Sequence, residues 1–306
     1  MMPQANTFSF GEFTWWLGVI EDRTSDPQDL GRVKVRIFGY HTADKGQIPT
    51  DHLMWAMVMQ PTSSAANSGI GHSPTDLLEG THVVGFFLDG GNAQVPMVMG
   101  TFAGIPQAKS PSDGFNDPNG KYPINKGESD VNRLARGVTS GTAIEKRNSD
   151  LDTATGVNGS SFSEPSSSYG AKYPYNHVYQ SESGHVEEFD DTSGKERYHR
   201  YHPSGTYTEI NPDGTRVDKI VKDNYTIVAG DKYLHVKGDV NIVVDGDAKI
   251  KISGDADVEI DGDKTETIKG DYSLNINGNY EVKTSGHYYN DAGSQTKFTA
   301  PRIDLN

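Results

Sequence analysis

The feature that most constrains this chain is a glycine at every eighth position. Gly230, Gly238, Gly246, Gly254, Gly262, Gly270, Gly278 and Gly286 form an unbroken series. Two positions before each stands Val228, Val236, Val244, Ile252, Ile260, Ile268 and Ile276, giving way to Thr284 at the last. The position after each is Asp231, Asp239, Asp247, Asp255, Asp263 and Asp271, then Asn279 and His287. Four past the glycine the residue is again mostly apolar (Leu234, Ile242, Ile250, Val258, Leu274, Val282), with Glu266 the exception. The unit is G-D-x-x-Φ-x-Φ-x, where Φ is apolar.

Two apolar positions spaced by two are strand periodicity. The glycine–acid step predicts a tight corner at which a side chain would obstruct the backbone. No proline between Pro212 and Pro301 interrupts a ladder of backbone hydrogen bonds. A coiled coil is excluded, because eight is not a helical period and each glycine would cost about 1 kcal/mol. Collagen needs glycine at every third position.

So short a repeat cannot bury its own apolar face and must stack on neighbours. Two closures are open. One chain could wind three octads into each coil, as a solenoid, although eight glycines would then supply fewer than three coils. Three chains could instead each give one octad per turn. The second closes every edge and predicts a homotrimeric prism. Val236, Val244, Ile252, Ile260, Ile268 and Ile276 would then point inward, and Asp245, Ser253 and Asp261 outward. From Gly230 to Gly286 there are 12 Asp or Glu against 7 Lys, nearly all at outward positions, which describes a solvated face.

With 306 residues the chain has room for two domains and linkers. A formal charge of −14 argues against general electrostatic binding of nucleic acid. The absence of cysteine leaves no disulfide or thiol chemistry. The start MMPQANTFSFGEF lacks the pattern of a secretory leader, and no run approaches bilayer-spanning length.

The expected fold is all-β, in four parts. Residues 1–104 suit an OB-type barrel of about five strands, at 15–20, 31–41, 53–59, 81–88 and 95–102. Asp89–Asn92 reads as a hairpin turn between the last two. In the second strand Val33, Val35 and Ile37 alternate with Arg32, Lys34 and Arg36, predicting a half-buried strand with a basic outer face. GIG at 69–71 lacks the Lys-Ser/Thr and helix of a phosphate loop. Residues 105–175 are rich in Ser, Asn, Gly and Pro and predict extended linker, with a short helix near Asp130–Arg136. Arg133 and Arg136 read as a docking or solvated face.

Residues 176–227 predict a β-rich entry to the prism, with turns at Gly184, Gly194, Gly205 and Gly214. His199 and His202 lack a third ligand for zinc, and Tyr198, Tyr201 and His202 read as packing residues. Residues 228–306 form the octads and a closing tip. There the repeat lapses through 287–300, and Ile303 and Leu305 suggest a last short strand.

The octads resemble the intertwined triple-stranded β-helix of the central tail spikes of T4-type phages. ESGHVEEFDDTSGKERYHRYHPSGTYTEINPDGTRVDKIVKDNY is similar to the segment that precedes that helix in phage and VgrG-type spikes. DPQDLGRVKVRIFGYH and VVGFFLDGGNAQVPMVMG resemble the spike OB domain. The resemblance implies a trimer under a baseplate hub ring, driven through the outer membrane on tail contraction. It also implies a small PAAR-type tip protein seated at Ile303 and Leu305.

T4-type spikes carry a lysozyme domain between barrel and helix. Here Glu128, Asp130, Glu145 and Asp150 occupy that interval without the apolar framework that paired catalytic carboxylates need. The reading is therefore a non-enzymatic spike with no cofactor and no metal, lacking also the H-x-H pair that holds iron at some tips. A spike of a bacterial injection system is the second reading, and a trimeric adhesin the third.

Overall fold

The computed structural model describes residues 13–303 apart from 74, 107–112 and 123–126, and divides into two compact units, 1–243 and 244–306. In the first unit, five strands close into a barrel in the order β1-β2-β3-β5-β4: β1 (Trp15–Asp22), β2 (Val33–Ile37), β3 (Trp55–Val58), β4 (His82–Phe87) and β5 (Pro96–Thr101). Each lies within or beside its predicted stretch. Trp16, Ile20, Val33, Val35, Ile37, Val83, Phe87 and Val98 form the core. Gly85 is required there, because a Cβ would fall 2.2 Å from the Met97 carbonyl oxygen and 2.3 Å from the Trp16 ring.

The basic face expected on β2 is not outside. All five residues of the strand are buried. The Arg36 guanidinium is fully enclosed and grips Glu21 of β1 through Nε (2.7 Å) and Nη2 (3.0 Å). It also donates to the carbonyls of Thr42 and Ile48, each at 2.8 Å. Glu21 accepts in addition from the Thr50 hydroxyl (2.9 Å) and the Phe115 amide (2.8 Å). Lys34 is buried too, reaching the Asp51 carbonyl at 2.8 Å. An enclosed charge must be paired and fully hydrogen-bonded, and this one is. The pair ties the loop at 42–50 and the segment around Phe115 to the barrel wall.

Residues 105–175, whose composition suggests linker, contribute packed structure. A 3-10 turn at Leu134–Arg136 and a short helix, α1 (Ala143–Asn148), bury Leu134, Ala143 and Ile144. Glu128 pairs with Arg133 (3.6 Å) and Arg136 (3.2 Å). A two-stranded hairpin follows, β6 (Thr153–Thr155) and β7 (Ser161–Ser163).

Next comes an antiparallel meander of five strands: β8 (Asn176–Gln180), β9 (Val186–Asp190), β10 (Arg197–Tyr201), β11 (Tyr207–Ile210) and β12 (Arg216–Lys219). Gly184, Gly194, Gly205 and Gly214 turn the chain between strands with φ of 90°, 72°, 97° and 84°, where glycine is favoured. One face of the meander packs Val186, Tyr201 and Tyr207 against Leu134, Ala143 and Ile144. Tyr201 is thus a core residue, as expected. Tyr198 is half-buried and donates to Glu187 at 2.8 Å. His202, by contrast, is exposed in the β10–β11 turn, where its Nδ1 accepts from the Ser204 amide at 3.1 Å.

Candidate assembly interface

Strand alternation sets Glu188 of β9, His199 of β10 and Glu209 of β11 side by side, because His199 is opposite both in register. All three side chains are fully buried. Arg197 bridges the carboxylates, with Nη2 2.8 Å from Glu188 and Nη1 2.9 Å from Glu209. Arg147 of α1 closes on Glu209 from above, and its guanidinium carbon lies 4.3 Å from the centre of the Tyr207 ring. His199 Nδ1 meets Glu188 at 2.7 Å, and Ser167 donates to Glu209 at 2.8 Å.

Burial alone would push both carboxyls up. The His199 hydrogen bond and the Arg197 charge instead hold Glu188 below its ordinary value, and Arg147 and Arg197 do the same for Glu209. Burial, helped by the hydrogen bond to Glu164, raises the Tyr207 hydroxyl to about 12. Carboxylates enclosed and occupied in this way cross-link α1 to the meander and have no access to a substrate. His199 and His202 do not converge on a common ion, since one is enclosed and the other exposed. Among the described residues no group of three or more His, Asp or Glu is placed to hold a metal, and no helix is long and apolar enough to cross a membrane.

Sequence reasoning missed this cluster, although a signal was present. With turns about ten residues apart, positions 188, 199 and 209 fall in one cross-strand row. For α1 the signal is Thr-Ala-Ile-Glu at 142–145, the S/T-x-x-E pattern of a helix start. Glu145 accepts from the Gly141 amide at 2.6 Å.

Beyond β12 no strand or helix is assigned among the described residues to Ile303. Its backbone bends at 229–230 and at every eighth position through 285–286, so each of the eight glycines lies in a bend. The period outlasts the glycines. It begins at 221–222 and recurs at 293–294 and 301, across the stretch where the sequence pattern lapses. None of the eight glycines adopts positive φ, and nothing of the chain stands within 4 Å of a Cβ at any of them. Within the single chain, therefore, neither backbone conformation nor a close neighbour requires glycine at these positions.

Among the described residues no backbone–backbone hydrogen bond joins this segment to itself or to the rest of the chain. The side chains of Val228, Val236, Val244, Ile252, Ile260, Ile268 and Ile276 are each 41–59% exposed. Unpaired backbone and a continuous apolar row together describe a surface that another chain must complete. Every odd-numbered residue from Asp245 to His287 is polar. At even positions over the same span the charged exceptions are Lys264 and Glu266, which pair at 3.0 Å. Ile303 is half-exposed, and Leu305 lies outside the described residues.

Residues 187–296 match the bacteriophage T4 gp5 C-terminal trimerisation domain, and residues 39–166 match the Gp5 N-terminal OB domain. Both matched domains are domains of Gp5. Protein Gp5 of Vibrio phage KVP40 is 42% identical to it over 252 residues, 71% of this chain and 59% of that protein. The pre-baseplate central spike protein Gp5 of Enterobacteria phage T4 is 44% identical over 149 residues, 46% of this chain and 25% of that protein. The chain therefore spans about three fifths of the one Gp5 and a quarter of the other. β1 and β2 both precede the matched OB residues yet complete the closed barrel. Both the assembly into threes and the barrel expected from the sequence accord with these matches.

Proposed function

We propose that three copies of this chain form the central spike of a contractile phage tail. Their octads wind into an intertwined triple-stranded β-helix, with Val236, Val244, Ile252, Ile260, Ile268 and Ile276 stacked inside. One observation carries the reading. The octad segment satisfies neither its backbone nor its apolar row within its own chain, and it matches a trimerisation domain. Each fully buried Val or Ile is worth about 1.5–3 kcal/mol, so the row accounts for a stiff and durable shaft. The barrels would dock under a baseplate hub ring, and the end near Ile303 would seat a small tip protein. Tail contraction would drive the spike through the bacterial outer membrane.

The spike acts mechanically, without cleaving peptidoglycan. Glu128 and Asp150 are taken up by ion pairs, while Asp130 and Glu145 accept backbone amides. Equilibrium sedimentation at micromolar concentration should give about three times 33.4 kDa; a folded monomer would refute the intertwined helix. The protein should leave permeabilised Gram-negative cells turbid where a T4-type lysozyme clears them. Clearing abolished by Glu128→Gln or Glu145→Gln would refute the non-enzymatic reading.

A further inference from the structure

The hairpin β6–β7 has no evident purpose in a linker. Its base is closed by the Glu164 amide on the Asp152 carbonyl (2.8 Å) and the Asp152 amide on Glu164 Oε2 (3.1 Å). The base is also pinned to β12, where Lys219 Nζ lies 3.0 Å from Glu164 and 3.4 Å from Asp150. Its three residue pairs, Thr153 with Ser163, Ala154 with Phe162 and Thr155 with Ser161, are too few for a hairpin to stand alone in water. Such an arm needs a surface to lie on.

That surface is the start of the octad shaft. A Cβ on Gly156 would touch Val243 Cγ2 at 3.5 Å. Val243 sits at an odd, outward position, and it is the last apolar residue there before the wholly polar run that begins at Asp245. Ile227 is another apolar outward residue, 91% exposed in the single chain. The first octads thus carry an apolar collar that the rest of the shaft lacks. The hairpin in turn leaves Val157 and Phe162 uncovered, 77% and 49% exposed.

We propose that residues 152–164 are a clasp, seated on Val243 of their own chain and presenting Val157 and Phe162 to the collar of an adjacent copy, so that the three chains are locked where the helix begins. The occupant is a second copy because the collar is continuous with the residues matched to the trimerisation domain, which begins at 187 and includes Ile227 and Val243. The adjacent-copy half rests on the three-chain reading above. The own-chain half does not.

The chain has no cysteine, so a disulfide can be placed cleanly. Gly156 has φ −99°, a backbone that any residue adopts; a Cβ there lies 3.0 Å from Ser160 Oγ, which must give by a few tenths of an ångström, and the 3.5 Å contact with Val243 is within reach of a bridge after small adjustment. The full-length Gly156→Cys/Val243→Cys protein, mildly oxidised, should lose its free thiols. On a denaturing gel without reductant it should run as a faster monomer, restored by dithiothreitol. Free thiols, or bands of linked chains, would overturn the own-chain seating. For the lock, Val157→Asn/Phe162→Ser and wild-type proteins should be compared for subunit exchange between differently tagged trimers. At least tenfold faster exchange is expected, with sedimentation still trimeric; an unchanged rate would overturn the lock. A wild-type protein that sediments as a monomer refutes the three-chain reading instead.

Discussion

Replacing Arg36 by Met should unfold the barrel selectively. The substitution leaves the fully buried Glu21 carboxylate with only the Thr50 hydroxyl and the Phe115 amide, and strips the Thr42 and Ile48 carbonyls of their donor. Removing one member of a buried pair costs about 3–5 kcal/mol, because the other remains charged and uncompensated. With a urea dependence of about 2 kcal/mol per molar for a domain of this size, the midpoint should fall by roughly 2 M.

The readout is unusually local. The three tryptophans, Trp15, Trp16 and Trp55, all stand on barrel strands, so their fluorescence follows this domain whatever the shaft does. Adding Glu21→Leu to Arg36→Met should recover about 1–3 kcal/mol, since two apolar side chains then replace an orphaned charge. Recovery should be incomplete, because the loop carbonyls and the Phe115 amide stay unpaired. A midpoint within about 0.3 M of wild type, or a double variant no more stable than the single one, would refute the argument.

Three further outcomes are expected. Ile252→Asp should abolish or sharply reduce trimer yield in the full-length protein, since three like charges would meet near the axis at several kcal/mol each. Ser253→Asp, one residue on, should stay within about 0.5 kcal/mol per chain by thermal melting, and equal tolerance of both would show the inward face to be misassigned. The third concerns acid. Glu182, held to about 2 chiefly by the Arg23 hydrogen bond and then by that of Tyr122, contributes fully above its ordinary value near 4.5 and loses that contribution as pH falls toward 2. Protection factors at residues 181–185, taken against the intrinsic exchange rate at each pH, should fall between pH 4.5 and 2 in wild type and show no such step in Glu182→Gln.

How much of this could be read from the chain depended on the range of the interactions. Alternation marked β2 and short apolar runs marked the other four barrel strands, and the octads were legible because a one-dimensional repeat writes its geometry into every unit. Arg36 was misplaced because alternation counts charge as outward, while its partner Glu21 lies on another strand and is visible only once the two pair. The packed part of 105–175 went unseen because six helical residues carry little periodicity and Leu134 and Ile144 find their neighbours across the meander. Ten-residue turn spacing could have aligned Glu188, His199 and Glu209. Nothing local, however, announces that Arg147 caps them.

The Lys264–Glu266 pair has a consequence for how three near-identical strings of octads find one another. Adjacent octads are so alike that chains offset by eight residues would meet almost the same packing, much as two combs can mesh one tooth out. A single octad carrying both charges on the inward parity acts as an index mark. In the three-chain helix proposed above, three lysines and three glutamates would share one level and satisfy each other. After a slip of one octad a lysine of the displaced chain faces Ala256 or Tyr272 of its neighbours, and a glutamate faces Val258 or Leu274. Stranding a charge among apolar groups costs several kcal/mol, on top of the rung of aliphatic contact that the slip itself loses. On the proposed three-chain packing the shaft would thereby carry its own zero point, and staggered assemblies would be rejected while still forming.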